Sequence, residues 1–352
     1  MTQLRVGIVG LGRVGRGIVR ANFDQPAGER FNVCALCDVM TEDQVTYLLA
    51  NDSTYGKPSF SVDYKDQHIL IDGKQVRYVP GDRRRNIEDP KSFSGLRDLE
   101  LDVIIDSTGT AKINDLRGLI DANVAKKVVC TANIAGIDLS IVHGVNQDRY
   151  DPLEHHVIAA STCTGNAMVP VASIFSKHIG IDYARIITIH PALSDQRVLD
   201  GYHPVSQLGR TCAASILPIS TNVAHSTVLI LPELEGKLDS ISYRIPTAIV
   251  SAMDVTATLS RDTSLAECTE LLEHYAQHEL KGILHCEYGA WGHEKASIDY
   301  LGTEYSVIVL MKHLLVSNKR QLGLSMMHDN ERAYCCRVLD VLETLRSAWY
   351  DK

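Results

Sequence analysis

The stretch LRVGIVGLGRVGRGIVRANF, residues 4–23, changes period halfway along. Its first half is an apolar run bounded by glycine, as in a strand buried on both faces. From Arg13 onward apolar residues recur at three- and four-residue spacing, as in a helix. Between the two, Gly10, Gly12 and Gly15 stand in GxGxxG spacing. That pattern alone is weak, but here a strand precedes it and a helix follows. Gly10 allows the tight turn, Gly12 lets backbone approach a pyrophosphate, and Gly15 lets helix and strand pack closely. The helix N-terminus presents N–H groups and a partial positive charge to the diphosphate. An acidic residue is due at the end of the next strand, roughly 20 residues on, to bind the ribose hydroxyls. Asp38, just after NVCALC, is that residue. Its carboxylate repels a 2′-phosphate, so the expected cofactor is NAD rather than NADP.

Outward from this stretch, strands and helices alternate. FNVCALCDV reads as a second buried strand, and TEDQVTYLLAN as a helix with Thr41 at its N-cap and acids in its first turn. SVDYKDQHILIDGKQVRYV reads as a hairpin about Asp72-Gly73. LDVIIDSTG and KKVVCTAN are further strands with a helical segment between them. Such alternation makes a doubly wound parallel sheet. After Pro170 the character changes. MVPVASIFSKHIG is helical, RIITIHPAL is a strand, and residues 194–218 form a polar stretch longer than loops usually run, for which a functional role is expected. SISYRIP and AIVSAMDVTATLS alternate as strands of a half-exposed sheet, and NERAYCCRVLDVLETLRSAWY is an amphipathic helix. Residues 82–86, DRRRN, read as a solvated turn.

The bulk numbers exclude several classes. At 352 residues, 45% hydrophobic and 22% charged, the chain is expected to be a soluble protein of two domains. No apolar run reaches the ~18 residues of a membrane span, and the N-terminus lacks a signal-peptide pattern. A formal charge of −8 argues against nucleic acid, whose phosphates need a basic face. Nine scattered cysteines suggest free thiols in a reducing cytoplasm. Cys34 and Cys37 are spaced as CxxC, but on a strand they face opposite ways, and no second pair completes a zinc site. No metal is expected.

Cys163 lies in ASTCTGNAMVP, at the head of a helix, and His190 ends an apolar strand in TIHPALSDQ. A free thiol ionises near ~8.5, so a nucleophile needs a base or a helix N-terminus. Beside a nicotinamide site, this pair suggests one chemistry. The thiolate adds to an aldehyde, hydride passes to NAD, and the thioester is released by phosphate or water. His190 takes the proton, and the Cys163 N–H with the imidazole stabilises the oxyanion.

These motifs, taken in order, resemble those of the glyceraldehyde-3-phosphate dehydrogenase family, with its erythrose-4-phosphate dehydrogenase branch. They are GLGRVGR, NDSTYG, DSTG, HGVN, TCTGN, TIHPALSDQ, DGYH, LPELEGKL, YRIPTAIVSAMD and HDNERAYCCRV. The resemblance implies an α/β Rossmann domain over residues 1–160, completed by the C-terminal helix 329–352. It also implies an α+β catalytic domain over residues 161–328, with a large, mostly antiparallel sheet. It implies Cys163 as nucleophile and His190 as base. The residues implied at NAD are Gly10, Gly12, Arg13, Val14, Gly15, Asp38, Ser107, Thr108, Gly109, Thr131, Asn330 and Tyr334. Those implied at the substrate's phosphate and a second anion are Thr162, Thr164, Asp195, Arg210, Thr221 and Arg244. The polar stretch 194–218 corresponds to a loop packed near a neighbour's cofactor in a homotetramer.

Several positions depart from the family pattern. Val9 replaces an asparagine, Gly165 a threonine, and Leu193 a hydroxyl donor for the substrate phosphate. Asn222 replaces a glycine, Gln207 and Leu208 replace basic residues, and Arg332-Ala333 replaces Trp-Gly. They cluster away from Cys163 and His190, so oxidation is expected to survive. Erythrose-4-phosphate is slightly favoured as substrate. The alternatives are a glycolytic, phosphorylating glyceraldehyde-3-phosphate dehydrogenase and a low-activity NAD-binding regulatory homologue.

Overall fold

The computed structural model describes residues 3–24, 30–66, 68–81 and 94–350; residues 82–86 lie outside them. The chain divides into two compact units. One comprises Met1–Ser161 with Cys335–Lys352, and the other Thr162–Tyr334.

The first unit opens with β1 (Arg5–Val9), α1 (Arg13–Phe23), β2 (Asn32–Asp38) and α2 (Glu42–Ala50). Thr41 precedes α2 and its N–H donates to Gln44 Oε1 at 3.1 Å, the return half of a capping box. Next come β3 (Val62–Lys65), β4 (His68–Ile71) and β5 (Lys74–Pro80). The hairpin about Asp72-Gly73 is present, with φ of 48° and 76° as a type I′ turn requires. It belongs to a three-strand meander, because β3 also pairs antiparallel with β4. Then follow α3 (Ser94–Arg97), β6 (Leu101–Asp106), α4 (Ile113–Asp121), β7 (Ala125–Cys130), β8 (Leu139–Ser140) and β9 (Val157–Ala159). The sheet order is β3-β4-β5-β2-β1-β6-β7-β9-β8. Every pair from β5 through β2, β1, β6, β7 and β9 to β8 is parallel. β2 lies on one side of β1 and β6 on the other, so the order reverses at β1. In such sheets ligands bind outside the strands' carboxyl ends at this reversal. All six residues of β6 are buried, as expected of a strand covered on both faces.

The second unit holds α5 (Cys163–His178), β10 (Ile181–Pro191), β11 (Leu217–Ile219), α6 (Val223–Val228), β12 (Leu238–Ile245) and β13 (Ser251–Leu259). It continues with α7 (Leu265–Gln277), β14 (Leu284–Glu287), β15 (Val307–Leu310), β16 (Leu315–Ser317) and β17 (Gln321–His328). The main sheet runs β11-β12-β10-β13-β17-β15-β14, with only β10–β12 and β14–β15 parallel. α8 (Arg332–Tyr350) starts in this unit and ends in the first. Within the first unit Cys335 of α8 meets α1, and a Cβ on Gly17 would lie 2.7 Å from its Sγ. The buried face of the second unit's sheet is set by register. Ala184–Ala257–Leu322, Ile186–Val255–Leu324 and Thr188–Met253–Met326 form successive cross-strand rows over β10, β13 and β17. α5 packs against β10.

Candidate active site

In the first unit the glycine loop sits at the carboxyl ends of β1 and β6. Gly10 has φ of +87°, and a Cβ there would come within 2.6 Å of the Thr108 backbone nitrogen. A Cβ on Gly15 would meet the Gly10 carbonyl oxygen at 1.9 Å. Both positions therefore exclude side chains, as the spacing implied. Gly12 differs, since a Cβ there meets nothing within 4 Å. Gly12 is also the N-cap of α1 and supplies no side-chain cap, and a helix start of this kind favours an anion. Ser107 Oγ donates to the Gly10 carbonyl at 2.6 Å, tying the two strand ends together. Thr108 Oγ1 donates to Asp106 Oδ1 at 2.8 Å, Gly109 has φ of +66°, and the Thr131 N–H donates to the Asp106 carbonyl at 3.0 Å. Asp38 accepts from the N–H groups of Leu11 and Met40. An ionised carboxylate has about four lone-pair sites, so two remain for ribose hydroxyls. The Arg13 guanidinium is turned onto Asp52, 2.5 Å away; its part in the loop is its backbone, next to Val14. An open cradle at Gly12, an uncapped helix start and a carboxylate closing β2 fit a dinucleotide.

In the second unit Cys163 is the first residue of the 16-residue α5. Thr162 is the N-cap, its Oγ1 accepting from the Gly165 N–H at 3.0 Å. That hydroxyl also lies 3.4 Å from the Thr164 hydroxyl. Ser161, just before, is fully buried with φ of +52°, so backbone strain is stored next to the thiol. The helix start favours a thiolate, but burial wins and pushes the Cys163 thiol up to about 11. Only roughly one thiol in 10⁴ is then ionised at pH 7. Nucleophilic attack requires a base.

His190 can be that base. It is buried, and its Nδ1 lies 2.9 Å from the Pro191 carbonyl oxygen. A carbonyl can only accept, so Nδ1 carries the proton and Nε2 keeps its lone pair. Burial, aided by the Arg244 charge, holds His190 below its ordinary 6.5 and hence neutral at pH 7. Arg244 is its register partner on β12. Arg244 is buried, pairs with Asp195 through Nη1, and has no protein partner on Nε, so one fixed donor remains.

The other expected residues fall in separate places. Arg210 is exposed and pairs with Asp200 at 3.2 Å. Thr221 lines an open groove of about 580 Å³ with Arg185, Gln207 and Asp239. Leu193 is 41% exposed, an apolar side chain two residues before Asp195. Asn330 is buried with no protein partner on Oδ1, and Tyr334 is buried. Asp329 escaped the sequence reading. It accepts from the N–H groups of Glu331, Arg332 and Gly302, and so fixes Asn330 at the head of α8. An aspartate immediately before a helical run was the available signal. Among the described residues no group of three or more His, Cys, Asp or Glu could hold a metal.

Residues 4–114 match the family description "Glyceraldehyde 3-phosphate dehydrogenase, NAD binding domain", and residues 162–330 match its "C-terminal domain". This chain belongs to the glyceraldehyde 3-phosphate dehydrogenase family. It is 34% identical over 346 residues to the glyceraldehyde-3-phosphate dehydrogenase of Geobacillus stearothermophilus, covering 98% of each chain. It is 33% identical over 341 residues to that of Streptomyces coelicolor, covering 96% of this chain and 97% of the relative. It is 32% identical over 349 residues to glyceraldehyde-3-phosphate dehydrogenase 3 of Saccharomyces cerevisiae, covering 98% of this chain and 100% of that one. As a member of the glyceraldehyde 3-phosphate dehydrogenase family the chain is an NAD-dependent oxidoreductase, with a Rossmann domain and a catalytic domain.

Proposed function

We propose that this dehydrogenase oxidises a phosphorylated sugar aldehyde through Cys163, with His190 as base. The reading is supported by a neutral, half-buried thiol, pKa about 11, at the head of α5, and a neutral buried imidazole with an unprotonated Nε2 near the end of β10, the strand on which α5 packs. His190 Nε2 takes the thiol proton as Sγ bonds to the aldehyde carbon. The N–H groups at the start of α5 and the imidazolium then face the developing oxyanion. The imidazolium passes that proton to the oxyanion, and the regenerated imidazole then removes the thiohemiacetal's hydroxyl proton as its carbon gives up a hydride, leaving a Cys163 thioester. NAD, when bound, supplies the hydride acceptor. Phosphate releases the acyl group as an acyl phosphate, or water releases it as the acid, and the Cys163 thiol is restored.

Gly12, the α1 N-terminus and Asp38 would hold the diphosphate and ribose, and Asn330 and Tyr334 the nicotinamide. Arg244, braced by Asp195, would hold the substrate phosphate by a charge-assisted bond. Thr162, Thr164, Arg210 and Thr221 would serve the second anion.

Between the two branch substrates we favour erythrose-4-phosphate slightly, on the apolar Leu193, two residues before the Asp195 that pairs with Arg244. The named relatives support glyceraldehyde-3-phosphate as the other reading. NADH formation at 340 nm with each aldehyde, with and without phosphate, tests both. Cys163→Ser should lower kcat by about three orders of magnitude or more. A clear kcat/KM preference for glyceraldehyde-3-phosphate overturns the substrate choice, and turnover that survives Cys163→Ser overturns the mechanism.

A further inference from the structure

Across β10, β13 and β17 the buried face of the second unit's sheet is apolar, Thr188 excepted, until its last row. There the register sets Arg244 of β12 beside His190 of β10. The step after Ile189↔Ala252 brings His190 opposite Ser251 of β13, and Ser251 pairs with His328 of β17. One cross-strand row therefore reads Arg244, His190, Ser251, His328, and all four residues are buried. Direct neighbours in such a row have Cβ atoms ~4.5–5.5 Å apart. Ser251 thus stands between the two imidazoles.

Two features of this row are unusual. His328 is only 1% exposed, yet neither ring nitrogen has a hydrogen-bond partner in the protein. Ser251 is fully buried, and its Oγ has none either. Buried polar groups are nearly always paired, so two such neighbours beside a candidate base call for an explanation. In addition Val250, just before Ser251, has φ of +66°, an outlier for a β-branched residue. Strain of this kind persists where a side chain must be held in place.

The row is also electrically lopsided. Around His190 stand Arg244 from β12, Asp195 from the segment after β10, and His328 from β17. Cys163 heads α5, which packs on β10, and Glu331 acts on that thiol. When His190 accepts the thiol proton, its new charge faces Arg244 on one side. On the other side stand Ser251 Oγ and a neutral His328, whose dipoles bear on the ring without a hydrogen bond to it, since the His190 Nδ1–H is held by the Pro191 carbonyl and Nε2 serves the thiol. Neutral, fixed dipoles act strongly in a buried site because they need no solvent reorganisation. Burial holds His328 down to about 3, so it stays neutral when His190 is charged.

We propose that His328, acting through Ser251, is a positioning residue that supports His190 while it holds the thiol proton. This rests on the reaction proposed above. It assigns a role to a histidine that neither the glycine loop nor the thiol motif touches.

The test compares wild type with His328→Phe, His328→Gln and Ser251→Ala. Two readouts are followed against pH, namely kcat/KM for NADH formation and the rate of Cys163 alkylation by iodoacetamide, measured at the Cys163 peptide by mass spectrometry. Removing the dipole makes the imidazolium less stable, so the His190 pKa falls. The acid limb of both profiles should move to lower pH by half a unit or more in His328→Phe, and the plateau should drop three- to tenfold. Ser251→Ala should do the same more weakly. His328→Gln, which keeps a dipole, should recover most of the plateau. Unchanged limbs in His328→Phe and Ser251→Ala, a limb that moves to higher pH, or a His328→Gln as impaired as His328→Phe each overturn the proposal. If His328→Phe fails to fold, the other two variants still decide it. The alkylation readout needs no aldehyde, so silence with both aldehydes counts against the substrate reading without settling this one.

Discussion

His190 and His328 share a strand-end row yet make separable pH predictions. His190 must be neutral to accept a proton, and its pKa lies below 6.5 chiefly through burial. The acid limb of kcat/KM should therefore fall below pH 6.5, and a limb above 7 would contradict the assignment. His328 concerns folding instead. Its native pKa is about 3, against an ordinary 6.5 in the unfolded chain. Only the unfolded chain takes up the proton as pH drops through that window. Stability is therefore full above 6.5 and is lost progressively toward 3. From this site alone the unfolding free energy should drop by about 1.5 kcal/mol between pH 6.5 and 5. His143 and His285, also depressed by burial, act in the same direction. Denaturant titrations at the two pH values check this, and His328→Phe should flatten the slope. Cys163 and His190 were legible because nucleophile and base sit in short runs with a chemical signature. His328 was not. Its significance comes from pairing with Ser251, 77 positions away in sequence, and no local pattern announces that register.

At the element scale the three glycines of the first loop separate binding from folding. Gly12→Ala meets no atom, and its φ of −66° suits alanine. It should leave the melting temperature unchanged but weaken NAD about tenfold or more, or ~1.4 kcal/mol, because the new methyl occupies the open cradle. Gly15→Ala meets backbone at 1.9 Å and should destabilise the protein by about 3 kcal/mol. Calorimetry and thermal melts on the pair distinguish these effects. A Gly12→Ala that binds NAD normally would displace the cofactor from this loop. Likewise Thr162→Ala removes the N-cap of α5 and should cost about 1 kcal/mol, with kcat falling as the thiol's helix start frays. The strands and helices flanking this loop were legible from period alone, since β1 and α1 switch from continuous apolar to helical spacing at one point. The meander was only half legible. Asp72-Gly73 is a strong hairpin signal, whereas β3 joins by pairing with β4 and carries mostly exposed residues. α7 and β14–β16 gave no signal that the sequence reading used, because their residues serve packing and carry no motif.

At the scale of the whole molecule the exposed apolar residues of the polar stretch matter. Val198, Leu199, Tyr202 and Ile216 are 70%, 78%, 83% and 67% exposed in the single chain. Patches of this kind mark interaction surfaces. A homotetramer, which we propose from the family resemblance, would cover them. Light scattering should then give four chains per particle, and replacing Leu199 and Tyr202 together by serine should lower that number. A wild-type monomer would remove the proposal.

The first unit is assembled from two pieces of chain with the whole of the second unit spliced between them. At ~5–20 residues per second, a ribosome takes roughly 10–35 s to pass from residue 162 to 334. Throughout that interval the emerging nucleotide-binding sheet lacks α8, and the face of α1 around Gly17 lacks the cover that Cys335 provides. The catalytic unit is contiguous and can finish folding first. The unit translated first is completed last, so its exposed helix face is where a nascent-chain chaperone would have longest to act.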